Sequence, residues 1–103
     1  MTVKIGEFEE LILLTLLSHG GEAYGADVLI TLEDEVKRPT SMGALFTTLD
    51  RMCEKGLITQ VPTPAETDGK KPRRKFKLQG LGRQAINEAE QRRLILKQRM
   101  VAT

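Results

Sequence analysis

From Lys4 to Ser18, Ile5, Phe8, Leu11, Ile12 and Leu16 recur at the spacing of one helix face, so the pattern predicts a first helix there. Leu13, Leu14 and Leu17 widen that stripe until the second half is apolar almost all round. A helix of that kind is buried on more than one side, and in a short chain the second side points to another subunit. Gly20-Gly21 stops it. A second helix is predicted from Tyr24 to Lys37, with Tyr24, Val28, Leu29, Leu32 and Val36 inward and Glu33, Asp34 and Glu35 outward. Pro39 ends it, because the residue before a proline avoids helical geometry. Ser41 is a good N-cap for a third helix running to Gly56. Its inner stripe is Met42, Leu45, Phe46, Leu49, Met52 and Cys53; its outer face shows Ala44, Thr47, Thr48, Arg51 and Lys55.

The period then changes. Leu57–Val61 and Arg73–Leu78 read as two short strands, the second alternating Phe76 and Leu78 with Lys75 and Lys77. The turn-rich stretch 62–72 between them makes a β-hairpin with an extended tip. A last helix is predicted over Leu81–Val101. Ile86, Ala89, Leu96 and Met100 lie near one face, whereas Leu94, Ile95 and Val101 lie elsewhere. No core left in so small a chain covers both sets, so this helix is assigned to a dimer interface. The expected fold is mainly α with a two-stranded β-hairpin. Three helices and a hairpin in this order form a winged helix-turn-helix at residues 1–79, followed by a dimerisation helix at residues 80–103. Leu13, Leu14, Leu17, Leu94, Ile95, Met100 and Val101 are the expected interface residues.

Composition narrows the setting. The chain has 103 residues, one domain's worth, and one cysteine, so it has no internal disulfide framework. No apolar run approaches the roughly 20 residues of a membrane span, and residues 1–10 carry three glutamates and no signal-peptide pattern. A reducing cytoplasm is the expected compartment, and no membrane partner is expected. The net charge of +2 hides an asymmetry: residues 1–69 balance at −7 and residues 70–103 at +9. Such a split hints at a polyanionic partner.

Duplex DNA supplies the chemistry that suits this pattern. A helix is narrow enough for the major groove, and its outward residues must be small or polar to approach base edges. An arginine pairs with guanine; a threonine bonds a base or touches a thymine methyl. Thr47, Thr48 and Arg51 meet that need, and positions 41–51 are the expected reading segment. In residues 70–77 six of eight residues are basic and none is acidic, so Lys70, Lys71, Arg73, Arg74 and Lys75 are the expected wing contacts to phosphate, the source of non-specific affinity. Other signals carry less. Gly80-Leu-Gly82-Arg-Gln-Ala85 has a dinucleotide-site spacing, but no second parallel strand follows it. His19 and Cys53, far apart, make no zinc site. Without a nucleophile–base pair, a phosphate cradle or a metal cluster, neither an enzyme nor a cofactor is expected.

These stretches together resemble the PadR-like family of bacterial transcriptional regulators. The matching segments are Gly6–Leu13, Glu22–Gly25, Ser41–Met52, Glu54–Ile58, Arg73–Leu78 and Gly82-Arg83, an ordered set spanning roughly residues 5–90. The resemblance implies a cytoplasmic winged-helix homodimer that represses genes. In it Ser41, Ala44, Thr47, Thr48 and Arg51 of the third helix face the major groove, and the last helix packs on the partner's N-terminal region. Some members of the family respond to small aromatic or drug-like compounds, so the resemblance leaves a small-molecule effector open for this chain. This chain departs from the family at Phe46, where a tyrosine is common, and at Gln79-Gly80, where threonine-proline usually opens the last helix. The missing hydroxyl and the acidic first two thirds leave a second reading open: a winged-helix protein-interaction module that no longer binds DNA.

Overall fold

The computed structural model describes residues 3–63 and 73–101. Helix α1 spans Glu7–Ser18, strand β1 Glu22–Tyr24, α2 Gly25–Asp34, α3 Met42–Glu54, β2 Ile58–Val61, β3 Lys75–Leu78 and α4 Gly80–Val101. α1 begins three residues later than its apolar spacing suggests. Gly6 is extended there, and the Glu9 carboxylate accepts its N–H at 2.9 Å, satisfying a donor that no helical carbonyl reaches. α2 ends before Lys37, whose backbone is left-handed (φ 61°), and the Arg38 N–H turns back to the Leu32 carbonyl at 2.8 Å. Val36, expected inside, therefore lies beyond the helix and is exposed.

The sheet has three strands rather than the expected two, in the order β1-β3-β2, all antiparallel. Gly20 and Gly21 take positive φ and turn the chain after α1, a conformation only glycine adopts without steric cost. The Gly21 carbonyl accepts the Leu78 N–H at 2.8 Å, which lays Glu22–Tyr24 along β3 with Ala23 opposite Phe76. Three residues are too few for an alternating pattern to register. This strand exists because a segment far along the chain supplies its hydrogen bonds.

The core gathers Ile12, Leu13 and Leu16 of α1, Val28 and Leu32 of α2, and Leu45, Leu49 and Met52 of α3 around Leu57, Ile58, Phe76 and Leu78. α4 joins it through Ala85 and Ile86, with Ala89 also buried. A Cβ on Gly82 would lie 2.3 Å from the Leu57 carbonyl oxygen. The glycine spacing at 80–85 therefore marks close helix packing, not a nucleotide cradle. Leu13 is fully buried within its own chain, so it has no surface to offer a second subunit and is corrected from interface to core. Leu14 is half-buried and Leu17 exposed. From Glu90 to Met100 every side chain of α4 is exposed, including Leu94 (49%), Ile95 (55%), Leu96 (58%) and Met100 (74%). The side chain of Val101 lies outside the described residues. The molecule measures 62 × 30 × 22 Å, with radius of gyration 15.5 Å.

One carboxylate staples two helices. Besides capping α1, Glu9 takes a 2.8 Å ion pair from Lys55 at the end of α3. Burial pushes its pKa up, but the Lys55 and Gly6 hydrogen bonds outweigh burial and hold it below the ordinary value of 4.5. Glu88, which accepts the Val3 N–H at 2.9 Å, is lowered by that bond. A depressed carboxylate contributes stability that is fully present above its unfolded pKa and lost as pH falls through the folded one. The melting temperature is therefore expected to hold down to about pH 4.5 and to decline below it. Glu9→Gln should lower the neutral-pH melting point and flatten that acid limb, as thermal melts between pH 7 and pH 3 would register.

Candidate nucleic-acid interface

α3 carries the candidate reading face. The Ser41 side chain accepts the Ala44 N–H at 3.0 Å, capping the helix as its sequence position suggests. Leu45, Leu49 and Met52 anchor the helix on the core, which leaves Ser41, Ala44, Thr47 and Arg51 exposed. Positions 44, 47, 48 and 51 fall on one face of a helix. Thr48 is half-buried and donates its hydroxyl to the Ala44 carbonyl at 2.9 Å, so it retains acceptor capacity and a methyl group for contact. Arg51 makes no ion pair among the described residues. Met42, assigned to the inner stripe, is 51% exposed instead, because the first turn of α3 extends past the core. Lys55 is drawn off the outer face by Glu9.

The cations at the base of the hairpin are placed differently from a row of free charges. Lys70 and Lys71 lie outside the described residues. Arg73 lies over the Tyr24 ring at 4.1 Å, reaches Asp27 at 3.9 Å, and keeps about half of its side chain in solvent. Lys75 pairs with Glu22 across the β1–β3 ladder at 2.9 Å. The Lys75 hydrogen bond and charge hold the Glu22 carboxyl below its ordinary range, and Glu22 in return raises Lys75. Arg74 reaches Asp50 of α3 at 2.5 Å and Gln60 of β2 at 2.8 Å. Its guanidinium also lies over Phe46 at 5.2 Å and Phe76 at 5.1 Å.

Phe46 thus serves as packing. Its ring stands 6.2 Å from that of Phe76, and it crowds Gly25 so closely that a Cβ there would lie 2.4 Å from Cζ. A cleft of about 580 Å³ opens beside it, lined by Tyr24, Ala26, Met42, Gly43, Arg73 and Arg74. The sequence reading missed Tyr24, Asp50 and Gln60 as members of this region. Asp50 alone left a signal, as the one acid between Ser41 and Cys53. Cys53 is half-buried, its thiol pushed up first by burial and then by the Asp50 charge.

A capped helix with a small, polar outer face, second in a helix-turn-helix pair and flanked by a three-stranded antiparallel sheet, defines a winged-helix protein. The family model for PadR-like transcriptional regulators matches residues 13–88, and this chain belongs to that family. Solved structures agree on the fold. A PadR family transcription regulator from Clostridium difficile superposes with a TM-score of 0.73 at 21% identity, covering 94% of this chain and 97% of its own. Bacillus subtilis PadR, solved with operator DNA, gives 0.69 at 20% identity, over 84% of this chain and 47% of its own. An organohalide-sensing transcriptional regulator in its 2,4-dichlorophenol-bound form gives 0.69 at 20% identity, over 97% of this chain and 53% of its own. No curated protein matches in sequence. The family is one of transcriptional regulators. Among the described residues, no helix is long and apolar enough to cross a membrane.

Proposed function

We propose that this chain is a sequence-specific DNA-binding repressor acting as a cytoplasmic homodimer. Residues 1–79 form the DNA-binding unit and residues 80–103 the dimerisation helix. The observation that carries the reading is the exposed face of Ser41, Ala44, Thr47 and Arg51 on a helix whose opposite side is fully anchored. Arg51 reads a guanine edge, Thr47 and Thr48 supply the neighbouring contacts, and Lys70, Lys71 and Arg73 meet phosphates. Operator DNA bound to Bacillus subtilis PadR supports the same use of this fold. The dichlorophenol-bound relative supports a small aromatic effector.

Dimerisation rests on α4. Leu94, Ile95 and Leu96 are consecutive and exposed, and a partner helix laid along the Ile95 side would cover that residue and the near edges of its two neighbours. Two recognition helices related by a two-fold axis require half-sites about one helical turn apart.

The test is fluorescence anisotropy with DNA from immediately upstream of the protein's own gene against a scrambled duplex, at low and near-physiological salt. Preference for the upstream fragment that survives added salt is expected; equal binding that vanishes with salt would mean phosphate attraction only. Arg51→Ala should relax selectivity at one base position, by about 1–3 kcal/mol, without weakening binding to scrambled DNA in proportion. An unchanged base preference would remove Arg51 from the reading face. A protein-interaction module is the second reading, favoured by the internal pairing of Arg74 and Lys75. It predicts no selectivity in either salt condition.

A further inference from the structure

We infer that Arg74 is a positioning residue, a strut that sets the recognition helix against the wing sheet, rather than one of the phosphate contacts its place in the basic run suggests. Its functional consequence rests on the DNA-binding reading above; its geometry does not. A guanidinium offers five N–H donors in one rigid plane. In Arg74, Nη2 donates to Asp50 Oδ1 at 2.5 Å and to Gln60 Oε1 at 2.8 Å, and Nε donates to Gln60 at 3.2 Å. The group also lies against two aromatic rings, Phe46 of α3 and Phe76 of β3. The Arg74 backbone carbonyl accepts the Gly25 N–H at 2.9 Å, at the first residue of α2. One residue therefore touches both helices of the helix-turn-helix and two strands of the wing sheet.

Charge argues the same way. Asp50 neutralises Arg74 locally, and counterion release requires a cation free to replace the ions around a phosphate. Reaching outward would cost Arg74 three hydrogen bonds and leave Asp50 facing the polyanion alone. Arg73 is the contrasting neighbour: its side chain is 53% exposed against 35% for Arg74, and its only ion pair among the described residues is the long one to Asp27. A reading helix has to be held within about 0.5 Å for its side chains to meet their partners. α3 has its core stripe on one side, and Arg74 fixes its remaining freedom relative to the wing.

The experiment compares Arg74→Ala, Arg74→Lys and Asp50→Asn with the unaltered protein by anisotropy across a salt series, on the upstream fragment and on a scrambled duplex, alongside amide exchange without DNA. Lysine keeps the charge but loses the planar fork, and Asp50→Asn reduces the ion pair to a weaker neutral-acceptor hydrogen bond while removing a negative charge from the DNA-facing helix. A strut predicts that all three variants lose selectivity by about tenfold or more, as a tilted helix forfeits its base contacts. The salt slope should stay unchanged, and amide exchange should quicken in α3 and β2. The proposal is overturned if Arg74→Lys behaves as the unaltered protein, Arg74→Ala lowers the slope by about 0.9 on both duplexes, and Asp50→Asn tightens binding. Should the unaltered protein show no preference for its upstream fragment, the DNA reading fails, and exchange decides the strut by itself. Quickening in all three variants supports the strut; unchanged exchange overturns it.

Discussion

Phe76→Ala is expected to remove about 3–5 kcal/mol of stability, the cost of truncating a buried aromatic side chain. Phe76 is fully buried on the middle strand, with Ala23 of β1 on one side and Gln60 of β2 on the other. Its ring meets Phe46 of the recognition helix and one face of the Arg74 guanidinium. Truncation therefore opens a cavity where the sheet meets α3, with few neighbours free to collapse into it. A domain of this size has about 5–15 kcal/mol in total, so a fifth or more of its stability is at stake. Urea denaturation would measure the loss, with Phe76→Leu as the milder comparison. A loss below about 1 kcal/mol, within the range of a surface substitution, would mean that the sheet is not centred on this ring.

Ile95→Glu should have the second large effect, on assembly. Ile95 is 55% exposed in the chain by itself, between Leu94 and Leu96, in the stretch of α4 from Glu90 to Met100 where every side chain is exposed. In the proposed dimer this position is buried, and a carboxylate there would lose hydration that Arg92 and Arg99, one helical turn away on either side, replace only in part. Light scattering is expected to move from two chains to one. Affinity for the upstream fragment should fall about 100-fold or more, because two half-sites would no longer be joined. A melting point close to that of the unaltered chain should accompany the change, since Ile95 is more than half exposed and stands outside the core cluster. If the mass stays at two chains, the seam lies elsewhere, and Leu17 on α1, exposed at 40%, is the next position to charge.

Long, strongly periodic segments are legible in the sequence. α1, α3 and the buried start of α4 follow from apolar spacing, and the N-cap at Ser41 from one residue type, because a helix writes its buried face at a local period. The small outer face of α3 was legible for the same reason, as the complement of Leu45, Leu49 and Met52. The basic run at 70–77 declared its charge but not its bonds. Nothing local says that Arg74 meets Asp50 and Gln60, or that Lys75 meets Glu22, while Arg73 remains half in solvent.

Leu13 and Gly82 make the same point from the core. Both sit in stretches whose local pattern suggested something else, a subunit surface for one and a nucleotide turn for the other. Each is explained by a neighbour distant in sequence: the Gly82 position packs on the Leu57 carbonyl and the Leu13 side chain. β1 is the extreme case, three residues with no period of their own, made a strand by the hydrogen bonds of β3. The sequence by itself determined the helices, the two hairpin strands that follow the third of them and the sign of charge in each region, because those depend on side chains a few positions apart. Folding assigned the third strand, the core position of Leu13 and the partners of each cation, because those depend on which distant groups arrive within hydrogen-bond reach.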